Sequence, residues 1–341
     1  LGALKDRPLA VASALIRGAA GREVMVATPG QPGDPKARGG KQLAASQADC
    51  RGKANRVSFL LQYFRRPGAI SNIGKALARS NFRGLDTEVL INDDSSSEVS
   101  QWVKALRGTE GYVVESGNLH EIRGYNRLAR MATGDMVVFL QDDDQPPSTG
   151  GWISRARDLF KQFPKLALLG GKSGTIQGGP FAGKFGAVGR GNFGARARNR
   201  LEMPRSDATK RGHNFMFVTF TNLGPFVMRR GVLMELGLFH QNFSCRGEAG
   251  IGFDYEIGLR LWKEGYQVGL WSHDFRINVE ESGSTGTRAN SAVWNRRLRL
   301  EQRNAAWYTK MYSAGGFYIN HARPCQFSKG SCDEKALGGG G

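Results

Sequence analysis

Between residues 57 and 169, short apolar runs alternate with segments of helical period, and this alternation constrains the fold more than any other feature of the chain. Residues 57–63 form an apolar strand, Ile70, Ile73, Ala76 and Leu77 mark a helix, and residues 88–91 form a second strand. Val99, Trp102, Val103 and Leu106 fall at i, i+3, i+4 and i+7, the spacing of one buried helix face, and residues 111–114 follow as a strand. Ile122, Tyr125 and Ala129 mark a third helix, closed by Gly134 before the wholly apolar strand 136–140. A fourth helix carries Trp152, Ile153, Ala156, Leu159 and Phe160 and leads into a strand at 166–169. Strands and helices in this alternation build an α/β fold whose mostly parallel sheet is covered on both faces. Ligands of such sheets bind beyond the carboxyl ends of the strands.

The chain has 341 residues, 40% of them hydrophobic, which excludes global disorder. At roughly 150 residues per domain this is about two domains, or one large α/β domain with tails. Residues 1–54 include the Gly/Pro/Lys-rich stretch 29–41 and read as a flexible arm. Residues 55–170 hold the alternating half. Residues 171–285 open with a Gly-rich basic loop, 171–212, and continue with strands at 215–220 and 225–228, helices at 232–236 and 254–263, and a strand at 267–271. A long helix at 292–312 dominates residues 286–315, and 316–341 read as a flexible tail.

The net charge of +18 predicts attraction to polyanions, whether nucleic acid, acidic membrane, acidic glycan or a phosphorylated small substrate. Its excess lies mainly between Lys172 and Arg211 and between Arg296 and Lys310. The four cysteines, Cys50, Cys245, Cys325 and Cys332, form no CxxC pair and no disulfide framework. No apolar run approaches the roughly 18 to 20 residues of a membrane helix.

Three polar groups are placed where chemistry is expected. Asp142, Asp143 and Asp144 follow the strand 136–140 directly. Adjacent carboxylates repel, so they are either solvated or compensated by a cation, and hard oxygen ligands suit Mg²⁺ or Mn²⁺. The alternative is an acidic turn before a helix N-terminus. Asn92, Asp93, Asp94, Ser95 and Ser96 follow the strand 88–91 and belong to the same sheet edge, although Asp/Ser clusters also make ordinary Asx turns and caps. Asp254, two residues after Gly252, opens an amphipathic helix and is either a cap or a general base.

At these positions the sequence resembles the family 2 glycosyltransferases, which have a GT-A fold. Residues 57–67, ending Tyr63-Phe64-Arg65-Arg66-Pro67, look like the family's first strand and its exit. Asn92-Asp93-Asp94-Ser95 looks like its V-D-D-G-S turn, and Leu140 through Asp144 like its metal-binding DxD. Gly117-Asn118, Gly124 to Asn126, Ala132 and Gly134-Asp135 resemble the helix before the metal strand. Gly224-Pro225-Phe226, Arg229-Arg230, the run 236–239, Asp254, Arg260-Leu261 and Gly265-Tyr266 resemble the acceptor half.

The resemblance implies a Rossmann-like GT-A sheet with a smaller antiparallel acceptor side, and an inverting transferase using a nucleotide-diphosphate sugar as donor. It implies that Gln62, Tyr63, Asp93, Arg127 and Asp142 hold the donor, with Asp93 on the base. Asp142 and Asp144 would bind Mn²⁺ or Mg²⁺, and Asp254 would be the catalytic base. A glycan, lipid or protein hydroxyl is then the acceptor, nucleic acid is not an expected partner, and peripheral contact with an acidic membrane is compatible with the charge. An endomembrane, Golgi or membrane-associated location through an unseen upstream segment stands beside a cytoplasmic one.

Several residues depart from the family pattern. Asn92 replaces the first Asp of the turn, Asp94 its Gly, Gln141 the first Asp of the metal motif, and Phe253 the Glu before the base. Neither His273 nor Asn278 stands where the family's late histidine ligand falls, and the Q-x-x-R-W motif of processive synthases is absent. A non-catalytic binding protein of the same fold is the alternative, with a basic nucleic-acid binder behind it. The G-x-G-x-x-G at 189–194 has no strand before it and is not read as a dinucleotide site.

Overall fold

The computed structural model describes residues 52–79, 82, 84–170, 173–175, 200–202, 215–243, 248–271, 275–277 and 290–312, and two strands at 15–17 and 23–27. In chain order the first elements are β1 (Leu15–Arg17), β2 (Glu23–Ala27), β3 (Lys53–Tyr63), α1 (Pro67–Arg79), β4 (Asp86–Asp93), α2 (Val99–Ala105) and β5 (Gly111–Glu115). They are followed by α3 (His120–Met131), β6 (Gly134–Gln141), β7 (Asp144–Gln145), α4 (Gly151–Gln162), β8 (Leu166–Gly170), β9 (Ser173–Thr175) and β10 (Arg200–Glu202). The C-terminal half adds β11 (Phe215–Phe217), β12 (Phe220–Thr221), β13 (Phe226–Arg229), α5 (Arg230–Glu235), α6 (Phe253–Lys263), β14 (Gln267–Trp271), β15 (Arg276–Ile277) and α7 (Ser291–Tyr312).

The expected α/β fold with a mostly parallel sheet flanked by helices is present. The main sheet runs β1-β2-β5-β4-β3-β6-β13-β8-β14-β11. The strands β2, β5, β4, β3 and β6 are mutually parallel, while β13 lies antiparallel between β6 and β8. Central β3 is buried from Arg56 to Tyr63, as a parallel strand covered on both faces must be. On one face Phe59 packs on Trp152 of α4 and Tyr63 on Trp102 of α2; on the other, Phe139 meets Tyr125 of α3 edge-on.

Two expectations change. The arm expected over 1–54 contributes β1 and β2, and β2 extends the parallel sheet beside β5. The single strand expected at 215–220 is split: β11 joins the main sheet, whereas β12 pairs with β9 and so joins the short sheet β10-β9-β12. Residues 171–172, 176–199 and 203–212 of the basic loop, residues 316–341 and all four cysteines lie outside the described residues.

The chain winds from β3 through β4 to β5 in one direction, then crosses back to place β6 on the other side of β3. This reversal puts the sheet's topological switch point at the carboxyl ends of β3 and β6, where ligands of doubly wound sheets sit. At the opposite edge, buried Glu88 accepts hydrogen bonds from Ser58 Oγ (2.5 Å) and Thr133 N (2.6 Å) and pairs with Arg56, which also pairs with Asp86 and Glu110. That network joins β3, β4 and the entries to β5 and β6, and its role is structural.

The side-chain amide of Asn126 clamps helix α3 to the loop at Phe239. Asn126 Nδ2 donates to Phe239 O (2.8 Å) and its Oδ1 accepts from Phe239 N (2.9 Å), all buried. Asn126→Ala strands both backbone groups and should destabilise the protein by about 2 kcal/mol or more. Urea denaturation will measure this, and an unchanged midpoint would refute the clamp.

Candidate functional site

Strand register sets the floor of the site. Val114, Asn92, Gln62 and Gln141 lie side by side across β5, β4, β3 and β6, and the polar groups begin there. Asn92 Nδ2 donates to Gln62 Oε1 (2.9 Å) and Ser116 Oγ (2.8 Å), and Arg127 of α3 reaches Glu115 O (3.0 Å) and Asn92 Oδ1 (3.5 Å). Gly124 lies close behind this row, and a Cβ there, 1.9 Å from Gln62 Oε1, would have to displace that side chain.

The acidic turn after β6 meets the exit of β3. Asp142 Oδ2 accepts a hydrogen bond from Phe64 N (2.9 Å), at the exit of β3, and Arg66 Nη1 lies 2.9 Å from its Oδ1 and 3.6 Å from Asp143 Oδ2. Burial pushes the Asp142 carboxyl up to about 7, against the opposing pull of Arg66 and the Phe64 N–H. Asp144 is buried in β7, whose antiparallel partner is β15.

The turn after β4 is held from within. Asp93 is fully buried and accepts from Ser95 N (3.1 Å), Ser95 Oγ (2.6 Å), Ser96 N (3.0 Å) and Glu98 N (3.0 Å). Asp94 accepts from Ser116 Oγ, Leu119 N and His120 N, fastening the loop before α3. Both oxygens of Asp93 accept bonds from its own loop, Oδ1 from Ser95 and Ser96 and Oδ2 from Glu98 N, and a contact with a nucleotide base stays an expectation. The Tyr63 ring is fully buried against Trp102 and its hydroxyl accepts from Arg66 N (2.9 Å). Arg65, Ser96, Asn118 and His120 all take positive φ of 50° to 59° around this edge, and such strain collects at functional sites.

The third group comes from the C-terminal half. Asp254, in the first turn of α6, accepts from Leu223 N (3.1 Å) through Oδ2, and burial pushes its carboxyl up to about 6, partly offset by that bond and by Arg297 of α7. The next residue, Gly224, faces the acidic turn: a Cβ there would lie 2.5 Å from Asp144 Oδ2 and 2.7 Å from Gln141 Oε1. One dipeptide thus touches Asp254 on one side and Asp144 on the other. The nearby Glu256 is fully buried in an ion pair with Arg260 (3.0 Å), which also holds Leu236 O and Leu238 O. Glu256 is tied up in that pair, whereas the Asp254 carboxyl accepts from Leu223 N and carries the raised pKa.

The family model described as glycosyl transferase family 2 matches residues 60–236, just over half of the chain. The chain belongs to this family. No curated protein sequence is significantly similar to it. Among solved structures, the S. aureus protein TarS is 14% identical with a TM-score of 0.45, over 73% of this chain and 39% of that one. The mannosyltransferase PcManGT from Pyrobaculum calidifontis, in complex with GDP-Man and Mn²⁺, is 14% identical with a TM-score of 0.46, over 78% and 70%. GalNAc-T7 with UDP, GalNAc and Mn²⁺ is 13% identical with a TM-score of 0.47, over 72% and 47%.

Within this family 2 chain, sequence reasoning missed Arg66, Phe64 N, Leu223 N and Gly224. Arg66 had a visible signal, a cation directly after a strand that ends beside an acidic turn. The two backbone N–H groups had none. His273 and Asn278 lie outside the described residues. Among the described residues no three or more His, Cys, Asp or Glu side chains are arranged to hold a metal. Asp142 and Asp144 nevertheless supply the hard oxygens that Mg²⁺ or Mn²⁺ takes when substrate phosphate and water complete the shell. In that respect the residues fit a divalent cation. A cavity of about 190 Å³ between Asn55, Asp135, Arg157, Lys161 and Arg229 lies at the opposite strand edge. Its arginines are turned onto Asp135 and onto the carbonyls of Phe160 and Leu166, so they close the end of α4.

Proposed function

We propose that this chain is a metal-assisted, inverting glycosyltransferase that moves a sugar from a nucleotide-diphosphate sugar to a hydroxyl acceptor. The observation that supports this reading is the Leu223-Gly224 dipeptide: Leu223 N donates to Asp254 Oδ2, and Gly224 packs so close to Asp144 and Gln141 that a Cβ would meet them. Asp254 takes the proton from the acceptor hydroxyl as its oxygen bonds to the anomeric carbon. The carbon–oxygen bond to the diphosphate breaks on the opposite side, and the nucleoside diphosphate leaves with the electron pair. A divalent cation held by Asp142 and Asp144 would neutralise charge on that leaving group. Gln62 and Arg127 border the nucleoside end, where Arg127 keeps its guanidinium against Asn92 and Glu115 O.

A thermal-shift panel of UDP-, GDP- and dTDP-sugars with and without Mn²⁺ tests this reading. One donor with metal should raise Tm by about 2–5 °C at concentrations far above its Kd. If no sugar nucleotide shifts the transition, the assignment fails.

A further inference from the structure

Arg66 sits where a metal cation is expected to act. Its side chain is 9% exposed, against 15% for Asp142 and 31% for Asp143, and its guanidinium contacts both carboxylates. Phe64 N occupies the other oxygen of Asp142. The backbone of Arg66 is fixed at both ends: its N–H donates to Tyr63 Oη (2.9 Å) and its carbonyl accepts from Ala69 N (3.0 Å) at the start of α1. Pro67 follows and restricts it further. Only the side chain is able to swing.

We propose that Arg66 is the resident counter-cation of the acidic turn, and that a divalent cation binds there tightly only together with a diphosphate that draws the guanidinium off Asp142. The inference rests on the glycosyltransferase reading above. A guanidinium and a divalent cation on one carboxylate repel each other within a few ångströms, strongly so away from bulk water. A diphosphate removes the conflict, because its oxygens accept the planar fork of an arginine in bidentate fashion and ligate the metal as well. Metal and nucleotide then raise each other's affinity by the same factor.

The test is Mn²⁺ binding, read from the EPR signal of free Mn²⁺, on the full chain at pH 8 with and without UDP or GDP. Wild type should bind Mn²⁺ weakly alone and about 5- to 150-fold more tightly with the nucleotide, the usual range of such coupling. Arg66→Met should bind Mn²⁺ alone about tenfold more tightly than wild type and lose most of the coupling. Arg66→Lys, which keeps the charge, should stay near wild type; Arg66→Gln replaces the Met variant if that one does not give a cooperative melt. Asp144→Asn should remove the Mn²⁺ binding that Arg66→Met gains. A folded Arg66→Met or Arg66→Gln protein that binds Mn²⁺ no more tightly than wild type overturns the inference, and leaves the metal site standing if Asp144→Asn still abolishes nucleotide-dependent binding. If no form binds Mn²⁺ while UDP or GDP still raises Tm, the metal part of the proposed function falls and Arg66 with it.

Discussion

Asp254→Asn should lower the transfer rate by about 10²- to 10⁴-fold, the contribution of general-base catalysis, and leave donor binding unchanged. The substitution is nearly isosteric, and the amide oxygen still accepts from Leu223 N, so the loop 222–225 keeps its place over the acidic turn. What is lost is the proton acceptor. Because burial raises this carboxyl to about 6, it is partly protonated below that pH and ionised above it. The base works only as carboxylate, so wild-type kcat/KM should climb with pH through about 6. Asp142, raised to about 7, adds a second ionisation to the same acid limb if its anion is needed for donor binding. In Asp254→Asn the residual rate should keep the limb near 7 and lose the one near 6. A variant that turns over at the wild-type rate, or that retains both limbs, would remove Asp254 from the chemistry.

Periodicity exposed the half of the molecule that carries the switch point, and the reason is physical. Strands such as 57–63 and 136–140 are buried on both faces and so read as unbroken apolar runs, while α2 and α3 show one apolar stripe each. Placing polar residues after those runs was enough to bring Asp93, Asp94, Asp142 and Asp144 to one edge. Their division of labour was not legible, because it depends on which backbone N–H groups point at each carboxylate. Asp93 and Asp94 face the amides of their own and the next loop, and Asp142 faces Phe64 N from a strand far away in sequence. Tyr63 shows the same limit. It sits at the strand exit, and strand alternation turns its ring to the α2 face while Gln62 takes the α3 face. The split of residues 215–220 between two sheets follows from pairings of β9 and β14, neither of which leaves a local signature.

Gly224→Ala should abolish metal-dependent donor binding and reduce transfer by at least about 10²-fold, the loss expected from a displacement of about 1 Å at a reacting centre. Two effects of the added methyl need separating. Gly224 has φ of +104°, so any side chain is strained there; in addition the Cβ would lie 2.5 Å from Asp144 Oδ2 and 2.7 Å from Gln141 Oε1. Gly237 provides the comparison, since its φ of +76° is also positive but a Cβ there meets nothing within 4 Å. Gly237→Ala should cost about 1–2 kcal/mol of backbone strain and leave donor binding and turnover intact. In Gly224→Ala the contact must also be relieved, either by moving Asp144 and Gln141 or by lifting the loop and taking Leu223 N off Asp254. The first route disturbs the metal turn and the second releases the base. Thermal melts compare the strain of the two variants, and donor binding with Mn²⁺ reads the site alone. A Gly224→Ala protein with near-wild-type donor binding and turnover would show that the dipeptide does not couple the two carboxylates.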